Sequence, residues 1–202
     1  MAYIGTMKQI VVLLVLSWAA PVWAGPLSLS TISDYINGLD TVEANFLQTN
    51  ADGSQDPGRL SIKRPGRARF DYDDPSEVVV VIGAGSIAIF DEYTTDAPEQ
   101  YPLRRTPLNL ILGRDVDLVG SPMVVDHRAS GDRTLVIAQD PDNPETGQIG
   151  LYFEENPVRL AEWILVNGAG EQTRVQLSNF VDRDRLPDRM FSIRREIAER
   201  SD

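Results

Sequence analysis

Apolar residues first recur with helical spacing. Between residues 27 and 39 they lie three or four positions apart, at Leu29, Ile32, Tyr35 and Ile36. This spacing predicts a short amphipathic helix. Ser28 or Ser30 can cap its start and Gly38 can end it.

After this helix, apolar and polar residues alternate, as in strands with one buried face. The alternation is clear at Val42, Ala44 and Phe46 and again at Ala68, Phe70 and Tyr72. Two apolar runs, residues 78–82 and 87–90, flank Gly83-Ala84-Gly85. A hairpin turn explains these glycines better than a phosphate loop, because neither a helix nor a lysine follows.

Further strands are predicted in the second half of the chain. Their apolar positions are Leu135/Ile137, Ile149/Leu151/Phe153, Trp163/Leu165, Val175/Leu177 and Phe191/Ile193. The charged tail, residues 194–202, is expected to fray or to form a last helical turn.

A second short helix is predicted from Thr106, which can cap it, to Gly113, which can end it. Pro107 suits its first turn, and one face carries Leu108, Ile111 and Leu112. About ten strands in series predict a meandering antiparallel sheet that curls into a barrel or half-barrel, because its twist accumulates and its apolar face needs cover. The two helices supply that cover.

Residues 1–24 have the pattern of a cleavable signal peptide. They contain one charged residue, Lys8, an apolar run over residues 10–20, and Val22 and Ala24 at the −3 and −1 positions of a cleavage site. We predict export to the periplasm with cleavage after Ala24, leaving residues 25–202 as a single domain. The apolar run is too short for a membrane span, which needs roughly 20 residues. Translation can begin at Met1 or at Met7 without changing the exported product.

The composition excludes several classes of function. The chain has 19 basic and 30 acidic side chains; loss of Lys8 with the leader leaves 18 basic ones and a net charge of −12. Such an acidic chain is a poor partner for nucleic acid or an anionic membrane surface. It has no cysteine, so it forms no disulfide, thiolate metal site or lipidated N-terminus.

No catalytic motif is present, and no cofactor or metal site is predicted. His127 is the single histidine; between Asp126 and Arg128 a surface position is favoured over a catalytic one. Paired and spaced acids are interpreted as solvated turn residues rather than glycosidase or calcium sites: Asp73-Asp74, Asp91-Glu92, Glu154-Glu155, Asp115/Asp117 and Asp182/Asp184.

One charged residue does not fit its surroundings. Alternation places Arg64 on the same side of a strand as Leu60 and Ile62. A buried guanidinium is costly unless its donors are satisfied, for instance by carbonyls or a carboxylate across a cavity. The alternative is that Arg64 lies at the rim, next to Pro65, and extends into water.

The segment from Gly58 to Tyr72, centred on Lys63-Arg64-Pro65, resembles the LolA family of periplasmic outer-membrane lipoprotein carriers. Phe46-x-Gln48 and Thr106-Pro107 are similar to that family as well. The resemblance extends from about Leu29 to Leu112. It implies a mainly β fold with a few short helices: an incomplete, unclosed antiparallel β-barrel with an α-helical lid.

The resemblance also implies a function. The protein would be a monomeric, non-enzymatic chaperone that binds the acyl chains of lipoproteins. It would accept them from an inner-membrane lipoprotein-releasing ABC transporter and deliver them to an outer-membrane lipoprotein receptor.

Site residues follow from the same resemblance. Arg64 would be the lid latch, bound to the helical cover when the protein is empty and released when acyl chains enter. The acyl cavity is expected to be lined by Val42, Phe46, Leu60, Ile62, Phe70, Tyr72, Ile89 and Phe153, with Leu108, Ile111 and Leu112 on the covering helix. The chain departs from the family at Arg67 and Ala68, where bulky apolar residues are usual.

Three alternatives stay open. A related half-barrel could bind another lipid or sense mislocalised lipoproteins. A small exported hydrolase would use His127 with a nearby acid. A structural module would contact a protein partner through its β-face.

Overall fold

The computed structural model describes residues 25–91 and 98–201. The predicted signal peptide lies outside these ranges, as does Glu92 of the Asp91-Glu92 pair. None of the described helices is long and apolar enough to span a membrane.

Eleven strands form one antiparallel sheet in the described ranges. They are β1 (Thr41–Thr49), β2 (Gln55–Lys63), β3 (Ala68–Tyr72), β4 (Val79–Gly83), β5 (Ser86–Phe90), β6 (Glu99–Pro102), β7 (Val124–Ser130), β8 (Arg133–Gln139), β9 (Gly147–Glu155), β10 (Val158–Asn167) and β11 (Gln172–Asp182). Their order is β6-β5-β4-β3-β2-β1-β11-β10-β9-β8-β7. Two meanders therefore join where β1 pairs with β11, while β6 and β7 lie at opposite ends. The predicted unclosed antiparallel sheet is confirmed.

The hairpin predicted at Gly83-Ala84-Gly85 is also confirmed. Gly83 pairs with Ser86, so Ala84 and Gly85 are the two central turn residues. Both have positive φ, 49° and 80°. Two-residue turns of this kind match the twist of paired strands.

Residues 25–91 and 98–201 contain three α-helices: α1 (Leu29–Gly38), α2 (Asn109–Leu112) and α3 (Ile193–Ser201). The same part of the chain contains 3₁₀ turns at Leu103–Arg105, Pro144–Thr146 and Asp188–Phe191. The start of α1 agrees with the prediction, since the side chain of Ser28 accepts a hydrogen bond from the Thr31 amide.

The second helix is shorter than predicted. Thr106 does not cap it, because its hydroxyl donates to the Leu103 carbonyl and belongs to the preceding 3₁₀ turn. The helix begins only at Asn109.

The strand predicted around Phe191 and Ile193 is wrong. Phe191 ends a 3₁₀ turn and Ile193 begins α3, so the tail does not fray and is helical over more than the single turn that was allowed for. Ile193 and Ile197, one helical turn apart, pack on the sheet face that carries Val81 and Phe90. Two apolar residues at alternate positions are compatible with a strand and also with a 3₁₀ turn followed by a helix.

The sheet thus has two covered faces. The inner face packs against α1 and α2 and forms the main apolar cluster, which includes Ile32 and Ile36 of α1 and Ile111 of α2. The outer face of the first meander packs against α3. We call α1, α2 and the following residues 113–118 the lid.

Candidate functional site

Arg64 lies in the turn between β2 and β3 and is only 7% exposed. Its guanidinium donates to the carbonyls of Ile111 (2.8 Å), Gly113 (2.7 Å) and Arg114 (3.3 Å). It also donates to Oδ1 of Asn37 (3.1 Å). The side chain therefore reaches both lid helices, and these four acceptors are neutral oxygens.

The same turn caps the end of α2. The amide of Gly66 donates to the carbonyl of Leu112 at 2.7 Å, beside the acceptors of Arg64. The last carbonyls of a helix have no partner within the helix, and a cation near them is favourable. Arg64 and Gly66 supply both the missing donors and the positive charge.

Burial lowers the pKa of Arg64, and the nearby charge of Asp115 acts in the opposite direction. An arginine nevertheless stays protonated in proteins. The site is therefore a buried permanent cation held by dipoles.

Beneath α2 lies an apolar cavity of about 20 Å³. It is lined by Leu60, Ile62, Ala68, Phe70, Ile82, Leu108, Ile111, Leu112, Leu160 and Trp163. Sites that enclose small ligands usually have roughly 300–1,000 Å³. The space beneath α2 is therefore filled by side chains of the sheet and of α2.

Most of the predicted lining residues lie where the strand alternation and the helical spacing placed them. The main cluster contains Phe46, Leu60, Ile62, Phe70, Ile111, Leu112 and Phe153, and Tyr72 and Leu108 pack against it. Val42 is buried at the start of β1 but is not part of this cluster. Their role in binding acyl chains stays a prediction.

Ile89 is the exception. It is 36% exposed, so the expectation that it faces an enclosed interior is wrong in this form. Alternation puts it on the same face of β5 as buried Ile87, but its neighbour across the sheet is Glu99 of the exposed edge strand β6. The alternation predicted the correct face of β5 for Ile89, but it could not predict how much of that face other residues cover.

Four aromatic rings cross the inner face in edge-to-face contact. Phe46 lies 5.5 Å from Phe70 and 4.9 Å from Tyr72, and Phe70 lies 6.1 Å from Trp163, between ring centroids. The Tyr72 hydroxyl donates to Oε1 of Gln48 at 2.7 Å. Burial, with a smaller effect of the Asp56 charge, raises the pKa of Tyr72 to about 12. The row of aromatic rings therefore ends in the Tyr72 hydroxyl, which stays uncharged at neutral pH.

Lys63 and Arg67, the basic residues close to Arg64 in the sequence, bind groups on the outer side of the sheet, opposite the lid. Lys63 contacts Asp188 (2.5 Å) and the Leu186 carbonyl (2.8 Å), and Arg67 contacts Asp188 (2.7 Å). This explains Arg67, which departs from the family pattern. Ala68, the other departure, is buried against the small cavity.

His127 is half-buried and not a free surface residue. Its Nε2 lies 2.7 Å from the carbonyl of Leu27, whose amide donates to Oγ1 of Thr134 at 2.7 Å. The histidine thereby binds the chain just before α1. Within the described ranges, no group of three or more His, Asp or Glu side chains is placed to hold a metal ion.

Sequence reasoning missed Asn37, Ile82, Leu160 and Trp163 as site residues. Trp163 and Ile82 carried a usable signal, since alternation places them on the inner face. Asn37 carried none, because an asparagine near a helix end is ordinary.

Known proteins resemble this chain over most of its length. The family model "Outer membrane lipoprotein carrier protein LolA" matches residues 37–194. An outer-membrane lipoprotein carrier protein of Azotobacter vinelandii is 25% identical over 166 residues, covering 77% of this chain and 78% of its own. One from Legionella pneumophila is 26% identical over 175 residues, covering 83% and 85%.

Among solved structures, a LolA superfamily protein from Nitrosomonas europaea aligns with a TM-score of 0.44 and 13% identity, covering 82% of this chain and 98% of its own. An uncharacterized conserved protein from Thermus thermophilus aligns with a TM-score of 0.48 and 12% identity, covering 82% and 93%. The family model spans most of the chain, including the Lys63-Arg64-Pro65 turn and α2. This chain belongs to the LolA family.

Proposed function

We propose that this protein is a periplasmic, non-enzymatic carrier that keeps the acyl chains of lipoproteins out of water. It receives them from an inner-membrane ABC transporter and delivers them to an outer-membrane receptor. Arg64 is the latch of its lid. The observation that carries the proposal is a buried arginine that binds the two lid helices through neutral acceptors above an apolar core.

The closed cavity supports a moving lid. About 20 Å³ holds no acyl chain, so binding requires displacement of α2 from the sheet. The side chains that α2 leaves behind, such as Leu60, Ile62 and Phe70, then provide the apolar surface for the ligand.

The energies are compatible with a reversible latch. A hydrogen bond to a charged group contributes roughly 1.5–3 kcal/mol, and each buried methylene contributes about 0.8 kcal/mol. A ligand shifts the closed state only by its difference in affinity for the two states. Burial of a few methylenes of the ligand therefore offsets the loss of each hydrogen bond of the latch.

The position of His127 supports a carrier over a hydrolase. The only imidazole of the chain contacts a main-chain carbonyl and is not among the residues that line the small cavity. Replacement of His127 by alanine is expected to leave lipoprotein binding in place.

The test uses residues 25–202 incubated with spheroplasts of a Gram-negative bacterium, with acylated lipoproteins assayed in the soluble fraction. The wild type should release lipoproteins and pass them to outer membranes. Arg64→Leu should hold lipoproteins but fail to pass them on. Arg67→Leu, which removes an arginine from the same turn on the outer side, is the matched control and should behave as the wild type.

Release by none of the proteins would contradict the carrier function and favour a half-barrel that binds another lipid or senses mislocalised lipoproteins. Equal transfer by Arg64→Leu and Arg67→Leu would contradict the latch.

A further inference from the structure

Asn37, in the last turn of α1, makes paired contacts with the segment after α2. Its Nδ2 donates to the carbonyl of Val116 at 2.8 Å, and its Oδ1 accepts from the amide of Val116 at 3.0 Å. The side-chain amide thus satisfies both backbone groups of one residue. The same Oδ1 also accepts from Arg64.

A second contact lies one helical turn earlier. Ser33 accepts a hydrogen bond from the amide of Leu118 at 3.0 Å and donates to the carbonyl of Leu29 at 2.8 Å. Ser33 and Asn37 are four residues apart and so share one face of α1. Val116 and Leu118 are both buried. The segment is therefore fixed along α1 at two points.

The start of α1 is bound to the second meander of the sheet. Leu27 contacts Thr134 of β8 and His127 of β7 through its amide and carbonyl. Further along, the Tyr35 hydroxyl accepts from the Leu160 amide at 3.2 Å. The carbonyls at the end of α2 contact the first meander through Arg64 and Gly66.

We propose that Asn37 is a positioning residue that joins α1 and residues 113–118 into one body. When Arg64 lets go, α2 leaves the turn at residues 64–66 together with the end of α1. The Tyr35 contact with Leu160 of β10 breaks, and Leu27 stays bound to β7 and β8. The relevance of this motion to lipoprotein loading rests on the proposed function. The linkage itself exists in the ligand-free protein.

The geometry gives the motion a direction. A ten-residue α-helix is about 15 Å long, and Leu27 and Asn37 lie near its two ends. A rotation about the Leu27 attachment therefore displaces the Asn37 end most, which is where Arg64 binds. The lid then opens at the turn of the first meander.

Amide hydrogen exchange, measured by NMR on residues 25–202 without ligand, tests the linkage. Three amides are the reporters. The Gly66 amide donates from the turn to α2, whereas the Val116 and Leu118 amides donate to α1 within the lid. In Arg64→Leu, the exchange rate of the Gly66 amide should rise roughly tenfold, because protection equivalent to about one hydrogen bond is lost. Exchange at Val116 and Leu118 should stay at the wild-type rate.

Variants of Asn37 and Ser33 then separate positioning from simple stabilisation. In the Arg64→Leu background, Asn37→Ala should raise exchange at Val116 roughly tenfold, and Asn37→Asp, which keeps the Oδ1 acceptor, should restore part of the protection. Ser33→Ala should raise the amide exchange rate of Leu118 more than that of Val116. Exchange at the β10 amide of Trp163 reports whether each variant is folded.

Two results would overturn the proposal: loss of protection at Val116 and Leu118 together with Gly66 in Arg64→Leu, or an unchanged Val116 amide in Arg64→Leu/Asn37→Ala. Because no lipid is present, these results are independent of the spheroplast assay. A protein that failed to carry lipoproteins could still show the linkage.

Discussion

Both sides of the β2–β3 turn carry basic side chains, but these side chains bind different kinds of partner. On the inner side, Arg64 binds carbonyl and amide oxygens of the lid. On the outer side, Lys63 and Arg67 bind the carboxylate of Asp188, and Arg69 of β3 binds Glu196 of α3 at 2.7 Å. One side therefore pairs a cation with dipoles, and the other pairs cations with anions.

This difference decides which attachment can be released. In the proposed opening, a carbonyl that loses its charged donor can be hydrated, and the carbonyl itself carries no net charge. Separation of a partly buried ion pair leaves two charges, each poorly solvated. The inner contact suits a lid that opens, whereas the outer contact suits a permanent brace.

The outer layer is fixed at its far end as well. Arg200 of α3 donates to the carbonyls of Glu77 and Asp91, both at 3.0 Å, and its guanidinium lies 5.3 Å from the ring centre of Phe90. It also pairs with Glu196 at 3.1 Å. We expect α3 to stay on the sheet while the lid moves.

Removal of the charge on Glu196 should have the largest effect on stability. This side chain is buried and pairs with both Arg69 and Arg200. Glu196→Gln should lower the free energy of unfolding by about 2–3 kcal/mol, because hydrogen bonds to charged groups contribute roughly 1.5–3 kcal/mol. Urea denaturation measures the change.

The matched control is Glu199→Gln, which removes an exposed pair with Arg195 on the same helix. Such i,i+4 pairs contribute about 0.3–0.5 kcal/mol. Equal effects of the two substitutions would contradict the view that the outer contact is a brace.

Acid should weaken the outer attachment and spare the inner one. Burial alone would raise the pKa of Glu196, but hydrogen bonds and charges from Arg69 and Arg200 outweigh it, so this pKa lies below the ordinary 4.5. A depressed carboxylate pKa stabilises the fold above the ordinary value, and this contribution is lost as the pH falls through the folded-state pKa. The carbonyl partners of Arg64 do not titrate.

The measurement is urea denaturation of the wild type and Glu196→Gln between neutral pH and about pH 3. The stability difference between them should narrow as the pH falls through the depressed pKa. A constant difference would show that the carboxylate charge contributes nothing.

The sequence predicted the inner side of this comparison better than the outer side. The helical spacing of Ile32 and Ile36 and the alternation at Val42 and Phe46 are local, and each needs only a few neighbouring residues. Alternation also placed Arg64 on the inner face. Its acceptors could not be predicted, because main-chain carbonyls at the end of α2 carry no sequence signal.

The outer layer depends on contacts between distant parts of the chain. Arg69 and Glu196 are 127 residues apart, and nothing near either residue indicates the other. Ile193 and Ile197 had the spacing of a helix face, but the charged surroundings of the tail favoured a frayed end. Arg67 had no apparent role for the same reason, since its partner Asp188 is 121 residues away in the sequence.

Arg64→Lys should loosen the lid without removing the positive charge. A lysine has one ammonium group in place of a fixed fork, so it cannot bind the carbonyls of Ile111 and Gly113 and Oδ1 of Asn37 with the same geometry. We expect a loss of about 1 kcal/mol in the free energy of unfolding, and stronger saturable binding of a hydrophobic dye. Arg67→Lys is the control and should change neither quantity, since an ammonium can still reach the exposed carboxylate of Asp188. Dye binding that is equal in the two variants would show that charge alone closes the lid.

Asp188→Asn should have the smallest effect, and its dependence on salt distinguishes the exposed part of the outer contact from the buried part. The Asp188 side chain is 72% exposed, and hydrogen bonds and charge from Lys63, with further charge from Arg67, lower its pKa. Exposed ion pairs contribute little and are screened by salt, since the Debye length falls to about 3 Å at 1 M. The small loss of stability should therefore disappear at high salt, whereas the loss caused by Glu196→Gln should persist, because its partners are shielded from ions. Urea denaturation of both variants at low and high salt tests this. If high salt abolished both effects alike, the whole outer attachment would be a surface interaction, and α3 would be as free to leave the sheet as the lid is.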